Sequence, residues 1–377
     1  MPVEFLGIAA THNGSETTPR SGASFDKEYT LKLARAHEDH DWDRVLFAYG
    51  SGSPDPAPAA AYIASRLDRL QILLAHRPNV SYPTFAAKTF ATLDRISDGR
   101  LTVHFITGGN DHEQGREGDT LTKDQRYTRT REYIEIVKRI WTSHEPFDHE
   151  GEHYRFHDFV SDVFPVQKPR PDVSFGGSSP AAYAAGGAEA DIYALWGEPL
   201  ARTAEQIEAV KAAARAAGRT PPRFQVAFRP IIAPTEELAW EKAHRTVAAI
   251  KDRTAQGSGA LVRHHSRLAP ENTGAQRLIA IAESGERFDR ALWTPTAAAT
   301  GGAGNSNALV GTPETVARAL LDYYDLGVDI ISARGYDLLG DAIDFGRQVI
   351  PLVRVEVARR EAAGAPRGTQ TLAEAAR

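Results

Sequence analysis

The stretch Phe175-Gly176-Gly177-Ser178-Ser179-Pro180 holds the residue types that bind a phosphate. A short apolar run ends in two glycines and two hydroxyls, and a helix then opens at Pro180 and Ala181. Backbone N–H groups at a helix N-terminus point at an anion, and the helix dipole favours negative charge there. Glycine lets the backbone come close. Gly177, Ser178 and Ser179 are therefore candidate phosphate ligands, although serine is also a preferred helix N-cap. Just downstream, Tyr193–Pro199 reads as a strand ending in Trp196, with Glu198 two residues on. A tryptophan there suits the wall of a planar ring system, or ordinary core packing.

Further candidates fall at the ends of other apolar runs. His12 follows the first, where an imidazole can hydrogen-bond a ring or act as acid or base. Arg77 follows the third and serves either an anion or an ion pair. His104 lies inside the fourth as an interior histidine, and Thr107 with Gly108 ends it. Tyr127 opens a long helix, from which its hydroxyl reaches a phosphate or its ring anchors the core. Arg229 and Arg334 end the last two runs, and two guanidiniums at neighbouring strand ends suit an anionic substrate. The pairs His37/His40 and His264/His265 lack a convincing third metal ligand and read as solvated surface.

These residues are spaced by strand-like and helix-like segments that alternate throughout the 377 residues, close to eight βα units. The pattern predicts a (β/α)8 barrel with its site at the C-terminal ends of the strands. A doubly wound sheet is the runner-up, but no G-x-G-x-x-G follows the first strand. One barrel over 1–353 is expected, with insertions near 109–126, 146–172 and 256–307 and a frayed or disordered tail over 354–377. The 146–172 insertion contains a hairpin around Glu150-Gly151. The last insertion holds Ala297–Gly304, a small-residue run that reads as the hinge of a lid.

Composition narrows the function. Hydrophobic residues make up 42% and charged residues 25%, enough for a full core. A net charge of −5 without a basic cluster argues against nucleic acid or a membrane surface as partner. No apolar run reaches a membrane span and no signal peptide opens the chain, so a cytoplasmic protein is expected. With no cysteine, thiolate chemistry, disulfides and Cys-ligated metals are excluded.

The chain resembles the bacterial-luciferase-like flavin monooxygenases, most closely their FMNH2-dependent alkanesulfonate branch. The resemblance runs from Phe5 to Leu352. It is carried by Thr11-His12, Arg77-Pro78, Ala91–Arg95 with Gly99-Arg100, Thr107-Gly108, Arg126-Tyr127, Phe175–Ser179, Trp196–Pro199, Gly301–Gly304 and Gly335-Tyr336. It implies reduced FMN supplied by a separate NAD(P)H-dependent FMN reductase, O2 as cosubstrate, and cleavage of a C–S bond to an aldehyde and sulfite. It also implies a homo-oligomer. Ser178, Ser179 and Tyr127 would take the FMN phosphate. His12, Thr107 and Trp196 would line the ring and substrate cavity, and Tyr336 would stand near the reaction centre.

Four positions depart from that branch. Ala227 and Thr300 replace arginines, Arg229 replaces a histidine, and Ser53 stands where cysteine is frequent. The departures lead to the expectation that the substrate-binding cations have moved to Arg229 and Arg334. A non-sulfonate organosulfur or nitrogen substrate is the competing expectation. A deazaflavin-dependent hydride transfer on the same barrel is a third.

Overall fold

A computed structural model describes residues 3–256, 270–304, 307–364 and 367. Eight parallel strands with interleaved helices form the expected (β/α)8 barrel. They are Glu4–Ile8, Arg44–Phe47, Gln71–His76, Leu101–Phe105, Asp172–Gly176, Ile192–Trp196, Arg223–Ile232 and Val328–Ala333. Several helices start where the sequence places proline, at Pro56, Pro83, Pro180, Pro295 and Pro313. Proline is suited to the first helical turn, because its φ is already helical and its missing N–H is not needed there. Among the described residues no helix is long and apolar enough to cross a membrane.

Tertiary contacts divide the chain into two compact units. One comprises Val45–Tyr193 and Ala209–Pro222. Its strands pair in parallel register, Ile72 opposite Leu101 and Thr102 opposite Asp172. Its core is aromatic: Phe90 and Phe105 pack edge-on to His76, and the His76 ring nitrogen meets the Tyr133 hydroxyl at 2.8 Å. The expected hairpin is present as Phe147–Glu150 paired with Arg155–Phe159.

Within the same unit, the 109–126 insertion is held by ion pairs rather than left as a loose loop. Arg77 reaches Glu113 and Glu117 at 3.1 and 2.8 Å, and Arg129 grips Asp119 with two hydrogen bonds. Arg77 is thus a structural ion-pair partner. His104 behaves as read, buried with its Nδ1 2.9 Å from Ser174 Oγ.

The other unit comprises Met1–Arg44, Ala194–Glu208 and Arg223–Arg377. Its longest strand, Arg223–Ile232, serves two partners. Phe224–Phe228 pair with Val328–Ala333, and Arg229–Ile232 pair with Ala308–Gly311. The strand therefore outgrows the barrel wall and carries a small extension, to which Leu292–Trp293 and Arg287–Phe288 add antiparallel. The helix Glu236–Ala255 covers it, burying Ala243 and Val247 with Trp293 and Val310.

The described part of the segment read as a lid packs into this extension. Ala297 and Thr296 are fully buried in the helix Pro295–Ala299. Gly302 is a tight turn at φ +72°, where a Cβ would stand 2.6 Å from the Ala275 carbonyl oxygen. The rest of the segment read as a lid, 257–269 and 305–306, lies outside the described residues, and His264 and His265 with it.

Two further expectations change in this unit. In the described part of the expected tail, helix Ile350–Ala362 is packed rather than frayed: it buries Val353 and Val357, and Arg354 binds Asp43 at 2.8 Å. His37 is not surface. It is fully buried, its Nδ1 2.8 Å from the Leu33 carbonyl, with its ring edge-on to Trp42 and against Gly7. An i,i+4 carbonyl partner lets a histidine sit on the inner face of a helix, which acidic neighbours in sequence do not reveal.

Candidate active site

The phosphate-type turn forms in the first unit described. Strand Asp172–Gly176 ends, Gly177 turns the chain at φ +147°, and Ser179 caps helix Pro180–Glu189 by accepting from Ala182 N at 3.2 Å. The cradle has no room for a side chain: a Cβ on Gly177 would stand 2.6 Å from Ala182 Cβ and 3.5 Å from the Tyr127 hydroxyl. Ser179 Oγ donates to Tyr127 Oη at 3.4 Å, and Tyr193 Oη donates to the Gly177 carbonyl at 2.9 Å. Burial raises the Tyr127 pKa, so the hydroxyl stays protonated and able to donate. Ser178 lies half-buried in the same turn. The residues read from the sequence as one phosphate site, Gly177, Ser178, Ser179 and Tyr127, are brought together.

Thr107 follows strand Leu101–Phe105 and is buried, with no hydrogen-bond partner for its hydroxyl among the described residues. Gln114, also fully buried, has neither amide atom partnered and packs against Gly108. Buried polar atoms without partners are rare in folded proteins and mark places where a ligand or water completes the set. Sequence reading missed Gln114, because a single glutamine in a polar loop carries no pattern. Ser53, a substrate-binding candidate by its place in the resemblance, is exposed, and its hydroxyl closes its own loop on Gly50, donating to O at 2.8 Å and accepting from N at 3.0 Å.

In the other unit, His12 follows strand Glu4–Ile8, half-buried, and its Nδ1 accepts from Gly14 N at 3.1 Å. The neutral ring therefore carries its proton on Nε2. Burial, then the charge of Arg20, lowers its pKa. Trp196 ends its strand with its ring against Gly274, where a Cβ would come within 3.0 Å. Glu198, 1% exposed, clamps that same helix, Thr273–Ser284, through two hydrogen bonds from Arg277, one at 2.7 Å and one at 2.5 Å.

Arg229 and Arg334 do come together, but around a carboxylate that the sequence did not flag. Arg229 sits where its strand changes partner, with its guanidinium 4.0 Å over the Tyr336 ring. Its terminal nitrogens bind Glu16 at 3.1 and 2.9 Å. Arg334 binds the same carboxylate. Burial alone would raise the Glu16 pKa, but the two guanidiniums hold it well below the usual carboxylate range. Arg229 is thus not the free cation expected. The available signal was a charge count, since two arginines at strand ends need a buried counter-ion, and of the two acids in the loop after the first strand Asp26 is taken as a helix N-cap, which leaves Glu16. Ala227 lies in the strand wall, and Thr300 turns its hydroxyl back to Thr296 O at 3.0 Å.

The family model described as luciferase-like monooxygenase matches residues 3–330. Among solved structures, a riboflavin lyase with modified FMN and substrate riboflavin is similar over 99% of this chain and 95% of its own, at 22% identity and TM-score 0.75. The EDTA monooxygenase of Chelativorans sp. BNC1 is similar over 97% and 99%, at 20% identity and TM-score 0.74. An F420-dependent secondary alcohol dehydrogenase with an F420-acetone adduct is similar over 94% and 99%, at 15% and 0.68. At these identities the likeness is one of fold.

Proposed function

This chain belongs to the luciferase-like monooxygenase family, and from that premise we propose that it is an FMNH2-dependent monooxygenase acting on a small anionic substrate, an alkanesulfonate in the first instance. The observation that carries the cofactor is the turn at Gly177–Ser179: backbone at positive φ, no space for a Cβ, and a Tyr127 hydroxyl 3.5 Å from where that Cβ would be. Such a turn at a helix N-terminus fits a terminal phosphate. Thr107, with its unpartnered buried hydroxyl, fits a polar edge of the ring.

Reduced flavin would supply two electrons to O2, one oxygen atom going to the substrate carbon and the other to water. For an alkanesulfonate, RCH2SO3−, FMNH2 and O2 become RCHO, HSO3−, FMN and H2O. The chain's own part is to bind, orient and exclude water. Ser178, Ser179 and Tyr127 hold the phosphate. His12 keeps a proton on Nε2 for donation at the strand end. Trp196 presents a flat aromatic face at its strand end, and its position follows from Gly274 and the Glu198–Arg277 clamp. The cations at Glu16 supply the anion preference. A separate NAD(P)H-dependent FMN reductase provides the reduced cofactor.

The test is reconstitution with FMN, NADH and a reductase, following oxygen uptake and sulfite release over a panel of alkanesulfonates. Sulfite formed in step with oxygen supports the full reading. Oxygen uptake raised by an organosulfur or nitrogen compound without sulfite keeps the monooxygenase and moves the substrate. Tight binding of reduced F420 but not FMNH2 replaces the cofactor and the reaction class.

A further inference from the structure

The arginine pair invites a charge count. Arg229 has four of its five N–H groups engaged. Its Nε donates to Arg334 O at 2.7 Å, one terminal nitrogen donates to Glu16 Oε1 at 3.1 Å, and the other donates to Glu16 Oε2 at 2.9 Å and Gly335 O at 3.1 Å. Its side chain is 1% exposed. Arg334 differs. One terminal nitrogen meets Glu16, while its Nε is buried without a partner among the described residues and its side chain stays 29% exposed. The neighbouring charges cancel, because Lys242 is paired with Asp341 at 2.8 Å. Two guanidiniums therefore share one carboxylate, leaving one positive charge with an unused donor on Arg334.

We propose that Arg334 is the residue that meets the substrate, that Arg229 is a strut which positions it, and that Glu16 limits the substrate to a single negative charge, a carboxylate or a sulfonate. The proposal rests on the reading that this strand-end cluster receives the substrate. A guanidinium edge suits either anion, because its planar N–H groups match two oxygens at once. Arg229 cannot play that part without giving up Glu16 or the two backbone carbonyls of Arg334 and Gly335. Those carbonyls fix the turn that leads to Tyr336, so Arg229 acts on the site through geometry. A doubly charged group would overfill the cluster, since Glu16 already neutralises one guanidinium and buried charge without a partner is costly.

The proposal separates two acids by charge alone. With the full-length protein, calorimetric titration at fixed ionic strength and pH 9.5 compares butanesulfonate and butanoate with butylphosphonate, which is predominantly a dianion there, and with neutral butanamide. Wild type is expected to bind the two monoanions and to bind butylphosphonate and butanamide more weakly. Arg334→Gln is expected to weaken monoanion binding about thirtyfold or more, the loss typical of removing one partner of a buried charge pair. Arg334→Lys, which keeps the charge without the planar fork, is expected to restore part of it.

Glu16→Gln leaves the cluster with two positive charges and is expected to raise the butylphosphonate-to-butanesulfonate affinity ratio about tenfold. Unchanged butanesulfonate binding in Arg334→Gln, an unchanged ratio in Glu16→Gln, or wild type preferring butanamide would each overturn the proposal. FMN binding, followed by fluorescence in the same samples, reads the cofactor assignment independently. Loss of FMN binding in wild type with the anion pattern intact would remove the cofactor and leave this site standing.

Discussion

Gly177 is the position where one atom decides most. Its backbone lies at φ +147°, and a Cβ would stand 2.6 Å from Ala182 Cβ. Gly177→Ala must shift the turn or the helix start, at a cost of about 1–3 kcal/mol in stability. FMN affinity is expected to fall with it, read by flavin fluorescence, while butanesulfonate binding stays. Glu16 is the second such residue. It has two guanidiniums for partners, so Glu16→Ala leaves both in a buried site with no carboxylate. A loss of about 3–5 kcal/mol is expected from urea denaturation. A loss under ~1 kcal/mol, the usual size for an exposed pair, would mean that the cluster is open to water and that the charge count fails.

At the scale of elements, the phosphate turn, the helix starts and the eight strands were legible because their signals are local. Glycine before a proline-led helix, and apolar runs of strand length, depend only on neighbours in sequence. The extension over 270–311 was not. Its Ala297–Gly304 run looks like a linker by composition, yet small residues are equally what close packing demands, as Gly302 against Ala275 shows. Glu16 was hidden for a related reason, since its partners are 213 and 318 residues away.

The Glu198–Arg277 clamp is another long-range feature, joining the Trp196 turn to helix Thr273–Ser284. Arg277→Met leaves the Glu198 carboxylate unpaired. It is expected to loosen that helix, read as faster amide exchange over 273–284 and a shifted Trp196 emission. On the reconstituted enzyme kcat/KM falls. Unaltered exchange over that helix would show that packing alone holds it.

Across the whole molecule, three buried histidines give stability a pH dependence. Burial lowers the pKa of His37 and His104 to about 4 and of His76 to about 3. An unfolded histidine titrates near ~6.5, so below that pH the unfolded chain takes up protons that the folded chain refuses. The stability these groups contribute is complete above ~6.5 and is lost as pH falls toward their folded values, at up to about 1.4 kcal/mol per pH unit for each. The urea midpoint is expected to drop steeply between pH 6.5 and pH 4.5, and His104→Gln to flatten the slope by about one third. A flat profile would place water at these rings.

The central claim is that Gly177–Ser179 and Tyr127 hold the phosphate of a reduced flavin. It is tested most directly by anaerobic titration of the full-length protein with FMNH2 and, separately, with reduced riboflavin, which lacks only the phosphate. The predicted result is FMNH2 binding about thirtyfold or more tighter than reduced riboflavin, the worth of a few charge-assisted hydrogen bonds. That advantage should shrink in Gly177→Ala. Equal affinity for the two, or an advantage untouched by Gly177→Ala, would contradict the account.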